Sequence, residues 1–263
     1  MSVKPAPATP SPAATLVLLR DRPAGGFDVL LIQRHQQSKF AGGDFVFPGG
    51  KVEADDNPDG ATTWCRGLDS ATAAARLGLD ARAALGYWIG AIREAFEEVG
   101  LLLAYGAAGA PVTVRHPRFA DYRRACDADN RAFWDMIRAE RLTLATERLT
   151  YFAHWITPEE NPHRYDTRFF AAEAMPDQEA IADEREIIAV CWMSPEEALE
   201  ARGRGEISLR LPTIKNLSLF LGGGRAADVV RRVGSLPITT IRPRLVVEGG
   251  TPRPILPGEP GYF

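Results

Sequence analysis

A chain of 263 residues, 45% of them apolar, is long enough to bury one large core or a core with an added helical subdomain. Its net charge of −3 gives no electrostatic basis for nucleic-acid binding, and it holds neither an apolar run of membrane-spanning length nor a signal-peptide core. Cys65, Cys126 and Cys191 are odd in number and lack metal-ligand spacing, which reads as free thiols in a reducing compartment; the C-terminal Gly-Tyr-Phe is not a Ser-Lys-Leu peroxisomal signal, and the expected location is cytoplasmic.

Residues 1–13, rich in Pro, Ala and Ser, are expected to be disordered, and residues 14–263 to form a single domain. The apolar runs 14–20 (ATLVLLR) and 27–34 (FDVLLIQR) flank Ala24-Gly25-Gly26 and predict a β-hairpin. In the polar loop that follows, Arg34, Ser38 and Lys39 either face a phosphorylated substrate or are ordinary solvated polarity. Residues 44–47 read as a short strand feeding Phe47-Pro48-Gly49-Gly50, a tight backbone that allows close approach to a ligand. Asn57-Pro58-Asp59-Gly60 is turn chemistry, residues 70–79 are helical, and Asp80 is placed to cap the next helix.

That helix carries the most informative stretch, residues 88–105 (WIGAIREAFEEVGLLLAY). Ile92, Phe96 and Val99 fall at i, i+4 and i+7 and share a buried stripe; Glu94, Glu97 and Glu98 share the opposite face. Three carboxylates that close repel one another. A hard divalent cation removes the cost, and oxygen ligands suit Mg2+ or Mn2+; the bland alternative is a solvated acidic helix face. A carbonyl from the Pro-Gly-Gly turn can complete such a metal site, and Gly100 offers the helix a place to end.

Residues 118–141 read as one or two helices with a break near 126–130. Residues 151–156 and 165–173 are strong strands, expected to pair in a mixed sheet. His154 and His163 are lone histidines with no placed partner; Arg164 and Arg168 either contact substrate or are strand-edge charges. An acidic loop, 182–186, enters a strand at 187–192. Ser194, Pro195 and Glu197 form a helix start with a capping box. Helices at 212–219 and 225–233 flank Gly222-Gly223-Gly224, which lacks the strand–turn–helix setting of a dinucleotide fingerprint. The tail contains one strand-like run, 244–247, and ends in Ile255, Leu256, Tyr262 and Phe263, which pack on the domain or on a second chain in a homodimer.

FPGGKVEADD followed by REAFEEVGL resembles the Nudix box: a Gly, five residues, a Glu, seven residues, then Arg-Glu-aliphatic-x-Glu-Glu-x-Gly-aliphatic. Gly50, Arg93, Glu94, Glu97, Glu98 and Gly100 match the pattern. Asp56 stands where the first Glu belongs, and 36 residues, 57–92, occupy the place of seven. A split box of this kind resembles the branch of the family that includes a mammalian peroxisomal coenzyme A diphosphatase, as do LLIQRHQQSKFAGGDFVFPGG, RYDTRFFAAE and WMSPEEAL.

The resemblance implies an α/β fold: a Nudix-type α/β/α sandwich with a mixed sheet, a helical insertion at about 57–87 and extra C-terminal helices with a tail over about 194–263. It implies that Glu94, Glu97, Glu98 and the Gly50 carbonyl hold Mg2+ or Mn2+, that Arg93 braces the loop against the helix, and that Glu94 or Glu186 is the catalytic base, with Glu184 a second possibility. It tips Arg34 towards function; Arg164 and Arg168 are the other candidate substrate contacts. The expected partner is a small-molecule nucleotide, with no nucleic acid and no membrane. The expected reaction is metal-dependent hydrolysis of a nucleoside diphosphate linked to another group, coenzyme A or acyl-coenzyme A giving 3',5'-ADP and the phosphopantetheine. The alternatives are an ADP-ribose, NADH or nucleotide-sugar pyrophosphatase, and a non-catalytic binding module of the same fold. The insertion is open between a part of the substrate mouth, a structural element and a dimer contact.

Overall fold

A computed structural model of the chain describes residues 7–38, 41–248 and 251–262. Strand β1 (Ser11–Asp21) is followed by β2 (Phe27–Arg34), β3 (Phe45–Val46) and β4 (Gly49–Lys51), then by helices α1 (Ser70–Leu77) and α2 (Ala81–Val99). After the short strand β5 (Ala104–Tyr105) come α3 (Pro117–Ala128), α4 (Arg131–Ala139), β6 (Thr143–Leu144), β7 (Thr150–Ile156), β8 (Tyr165–Glu173) and β9 (Ile187–Met193). The C-terminal third holds α5 (Pro195–Gly203), α6 (Leu211–Phe220), α7 (Ala226–Gly234), β10 (Thr240–Ile241), β11 (Arg244–Glu248) and β12 (Thr251–Ile255).

The main sheet is mixed, as expected. β1 runs parallel to β8 from Ser11↔Tyr165 to Leu19↔Glu173 and is antiparallel to β2 and β4. Both faces of this sheet are covered, so its strands read as unbroken apolar runs and alternate residues go to different cores. Leu16, Leu18, Leu30 and Ile32 pack beneath α2 together with α4 residues Phe133 and Ile137; Val17, Leu19, Val29 and Leu31 pack against Leu217 and Phe220 of α6 and Val229 and Val233 of α7. The architecture is an α/β/α sandwich.

β1 begins at Ser11 rather than at residue 14, because Ser11 to Ala13 are paired with β8 and Ala13 also with Lys51 of β4. Of the segment expected to be disordered, residues 1–6 lie outside the described residues. β12 was not legible in advance, since Pro252 and Pro254 lack the N–H a central strand needs; a two-stranded hairpin with β11 tolerates them at its edges.

Two features aim the site. The first is β4, laid on β1 in a register that sets Gly50 opposite Ala14, while Pro48 O accepts from Leu16 N at 2.8 Å. A Cβ on Gly49 would lie 2.4 Å from the Ala14 carbonyl, so only glycine lets the strands meet here. The second is α2. Asp80 caps it, accepting from Arg82 and Ala83 N at 3.0 Å each, and its Gly90 is the point where the preceding loop closes in: a Cβ there would lie 2.8 Å from Asp56 Oδ2. Nearly every position of α2 from Ala84 to Val99 is buried, as suits a helix covered on all sides.

Candidate active site

The long interruption of the motif closes in space. Arg93, fully buried, donates from Nε to Asp56 Oδ1 at 2.6 Å and from Nη2 to Asp56 Oδ2 at 3.1 Å, a bidentate pair. The same Nη2 donates to the Lys51 carbonyl at 2.9 Å. Nη1 lies 2.7 Å from Glu97 Oε2 and 3.0 Å from Glu94 Oε1. Asp56 also accepts from Glu53 N at 2.8 Å. One methylene shorter than glutamate, it still reaches Arg93 and braces the 51–56 loop on the helix. The excursion between them is tied through Arg66 N to the Leu144 carbonyl at 2.9 Å and then forms α1, which packs on α2. None of residues 57–87 lines the cavity described below.

The three glutamates are not a solvated face. They form one end of a cavity of about 1080 Å³, with Gly50, Arg34 and Glu186 around them. Glu98 Oε2 accepts from Gly49 N at 2.8 Å. Arg34 bridges two walls, with Nη1 3.4 Å from Glu98 Oε1 and Nη2 3.3 Å from Glu186 Oε2. A Cβ on Gly50 would lie 2.6 Å from both Glu94 carboxylate oxygens, so the backbone of β4 is pressed against that carboxylate. α3 covers the end of α2, where Arg123 Nε donates to the Glu97 carbonyl at 2.7 Å.

Glu186 is presented by a loop that Asp183 organises. The Asp183 Oδ1 accepts from Arg185 and Glu186 N at 3.1 Å each and from Ile187 N at 2.8 Å, and Glu186 O accepts from His35 N at 2.7 Å. Sequence reasoning passed over Asp183, although aspartate's habit of binding backbone amides just downstream of itself was the available signal. Glu184 adopts a positive φ of 63° and does not line the cavity. His163 does line it.

Two expected substrate contacts are not among the residues that line the cavity. Arg164 is buried, donating to the Thr157 carbonyl at 3.2 Å and the Ala8 carbonyl at 2.6 Å. Arg168 lies on the α2 face of β8, paired with Asp166 and stacked 4.9 Å above the Tyr87 ring. His154 belongs to the same buried group, with Nε2 2.5 Å from Asp166 Oδ1 and Nδ1 2.8 Å from Thr240 Oγ1. Lys39 lies outside the described residues, and Ser38 does not line the cavity.

The donor set suits a hard divalent cation. It consists of carboxylate oxygens beside a glycine carbonyl, and Glu97 Oε1 is buried with no hydrogen-bond partner. Arg93 stands between Glu94 and Glu97, and among the described residues no three Asp, Glu, His or Cys side chains close into one cation-sized group. Burial pushes Glu94 up to about 7 and Glu97 up to about 8 against the pull of Arg93. Burial and the neighbouring Glu94 hold Glu98 well above the ordinary carboxylate range. Between its ordinary 4.5 and about 8, Glu97 therefore carries more proton in the folded chain than in the unfolded one. Stability contributed this way is complete below about pH 4.5 and is lost as pH rises through 8. In chelator the melting temperature is expected to fall by several degrees between pH 6 and pH 9, at roughly 2–4 °C per kcal/mol for a chain of this size, and to recover at pH 9 on adding Mg2+ or Mn2+. A melting temperature flat across this range would contradict the arrangement.

A family model described as the NUDT19 Nudix domain matches residues 82–220, more than half of the chain. The chain belongs to the Nudix family. Acyl-coenzyme A diphosphatase NUDT19 of Gallus gallus is 31% identical over 234 residues, covering 73% of this chain and 60% of that protein. The Homo sapiens protein of the same name is 28% identical over 259 residues, covering 80% of this chain and 68% of its own length. The chain thus spans only about three-fifths of the chicken relative. The crystal structure of a Nudix hydrolase from Alicyclobacillus acidocaldarius superposes with a TM-score of 0.70 at 25% identity, covering 85% of this chain and 96% of that one. Of the residues that match the box, Gly50, Arg93, Glu94, Glu97 and Glu98 line the cavity.

Proposed function

We propose that this Nudix chain is a metal-dependent diphosphatase for a nucleoside diphosphate linked to a second group, with coenzyme A or an acyl-coenzyme A as substrate. The observation that carries the reading is the convergence of Gly50, Glu94, Glu97, Glu98, Arg34 and Glu186 at one end of a single large cavity. The vertebrate relatives, which are acyl-coenzyme A diphosphatases by name, support the coenzyme A assignment.

Glu94, Glu97, Glu98 and the Gly50 carbonyl are the groups that would hold Mg2+ or Mn2+. When bound, the cation neutralises diphosphate oxygens and acidifies a water. Arg34 is poised to leave its two long carboxylate contacts for a phosphate oxygen, for which its planar fork is suited. Glu186, exposed at the rim, takes the proton of the attacking water. Water adds to one phosphorus, the bridging P–O bond breaks, and 3',5'-ADP and the phosphopantetheine leave. Arg93 touches none of the reacting atoms; it positions Glu94, Glu97 and the 51–56 loop. Cys65, Cys126 and Cys191 are free thiols, which supports a reducing compartment, and the proposal places the enzyme in the cytoplasm.

Glu186→Gln is expected to lower kcat by about 10²–10⁴-fold with a changed pH–rate profile and an unaltered melting temperature. An unchanged profile would assign the base elsewhere. The functional reading is tested by mass spectrometry of the products from coenzyme A, ADP-ribose, NADH and a nucleoside triphosphate with either metal. Release of 3',5'-ADP from coenzyme A supports it. Preferential cleavage of ADP-ribose or NADH would keep the diphosphatase chemistry and overturn the coenzyme A assignment. No metal-dependent cleavage of any of the four would overturn both, and would favour a binding module.

A further inference from the structure

The cavity extends well past its carboxylate end. At about 1080 Å³ it stands at the upper limit of ordinary small-molecule sites. Away from the carboxylates its lining includes apolar groups, Trp155 and Ile156 from β7, Leu211 at the start of α6, and Leu245 and Pro254 from the C-terminal hairpin, beside the polar Thr157, Asn161 and His163. Leu245 and Pro254 are directly opposed partners of the β11–β12 pair and line the same cavity, so the hairpin presents one apolar face to it. It lies beyond residues 82–220, the segment the family model matches.

The hairpin is tied to the domain at both ends. Before it, β10 pairs with β7 (Thr240↔His154), and Arg242 lies 3.7 Å from Glu159. After it, Ile255 is buried and Tyr262 Oη donates to the Arg242 carbonyl at 2.7 Å. A wall so fixed is a built surface, and its aliphatic side chains offer no hydrogen bond to the edge of a base. We propose that Leu245 and Pro254 form a specificity wall that takes a long aliphatic acyl chain carried by the non-nucleotide half of the substrate. This rests on the diphosphatase reading for the substrate's other half, since the wall is continuous with the carboxylate end of the same cavity.

The test is calorimetric binding of coenzyme A, acetyl-coenzyme A and dodecanoyl-coenzyme A to the full chain in chelator, where no turnover occurs. Each methylene brought against the wall tightens binding by up to about four-fold. The expected result is dodecanoyl-coenzyme A bound at least about ten-fold more tightly than coenzyme A. Leu245→Asp should abolish that preference while leaving coenzyme A within about two-fold. Leu245→Ala, a milder truncation of a half-buried side chain, should remove part of it; with metal, the loss should appear in KM for the dodecanoyl substrate and leave kcat unchanged. Equal affinity for all three ligands would overturn the proposal. So would an equal loss for all three in both variants, which would put the nucleotide rather than the acyl chain against the hairpin. Failure to hydrolyse any diphosphate would sink the functional reading separately, because chain-length dependence is read without turnover.

Discussion

Glu97→Gln is expected to lower kcat by about 10²–10⁴-fold and to leave the metal-free protein as stable as before, or more so. The carboxylate has two distinct oxygens. Oε2 holds Arg93 at 2.7 Å, and Oε1 is buried with no hydrogen-bond partner. Glutamine keeps the volume and an oxygen acceptor for Arg93 but removes the anion. Loss of an anionic ligand forfeits several kcal/mol of charge stabilisation at the diphosphate, and each 1.36 kcal/mol is tenfold in rate. Stability moves the other way. Burial pushes Glu97 up to about 8, so ionising it in the folded chain costs free energy that the neutral amide does not incur. The melting temperature in chelator at pH 8–9 should therefore equal or exceed that of the parent chain, while Mn2+ binding, followed by calorimetry, weakens. Near-normal turnover would remove Glu97 from the metal-holding set. Loss of the fold would show that it is a structural member of the helix instead.

Much of this arrangement was readable from residue types. Phe27–Arg34 and Tyr165–Glu173 were bounded correctly because turn residues flank strong apolar runs, and the α2 start followed from Asp80 as a cap. What was not readable is parity. A strand buried on both faces carries no alternation, so Phe169 and Phe170 look alike in sequence. In the fold, Thr167 and Phe169 face the cavity, whereas Arg168 and Phe170 lie on the α2 side. That single step of register separates Arg168, which stacks on the Tyr87 ring, from the cavity that its neighbours Thr167 and Phe169 line. The burial of the acidic helix face was equally illegible. Its spacing put three glutamates on one face, but nothing local said that α3 and the 182–186 loop would cover that face and bury Glu98. The role of Asp56 was also invisible to spacing, because the contact with Arg93 spans the whole interruption.

Arg93→Ala is expected to cost about 3–5 kcal/mol of stability and to abolish activity with it, which separates Arg93 from Glu97. Arg93 is fully buried and is shared among Asp56, Glu97, Glu94 and the Lys51 carbonyl. Removing it leaves the Asp56 carboxylate, also fully buried, without its bidentate partner, and takes from Glu94 and Glu97 the guanidinium that lies against both. A buried ion pair adds little net stability when intact, but a buried charge whose partner is deleted is strongly destabilising. At roughly 2–4 °C per kcal/mol, the melting temperature should fall by about 6–20 °C. Arg93→Lys keeps the charge but cannot reach two Asp56 oxygens, a carbonyl and Glu97 at once, so an intermediate loss is expected. The double variant Arg93→Ala with Asp56→Asn removes the stranded charge and should recover part of the stability lost by Arg93→Ala, but none of the activity, because Glu94, Glu97 and the 51–56 loop remain unheld. A melting temperature for Arg93→Ala within about 2 °C of the parent chain would contradict a buried lock across the split motif. Recovery of activity in the double variant would show that Asp56 and Arg93 matter only through stability.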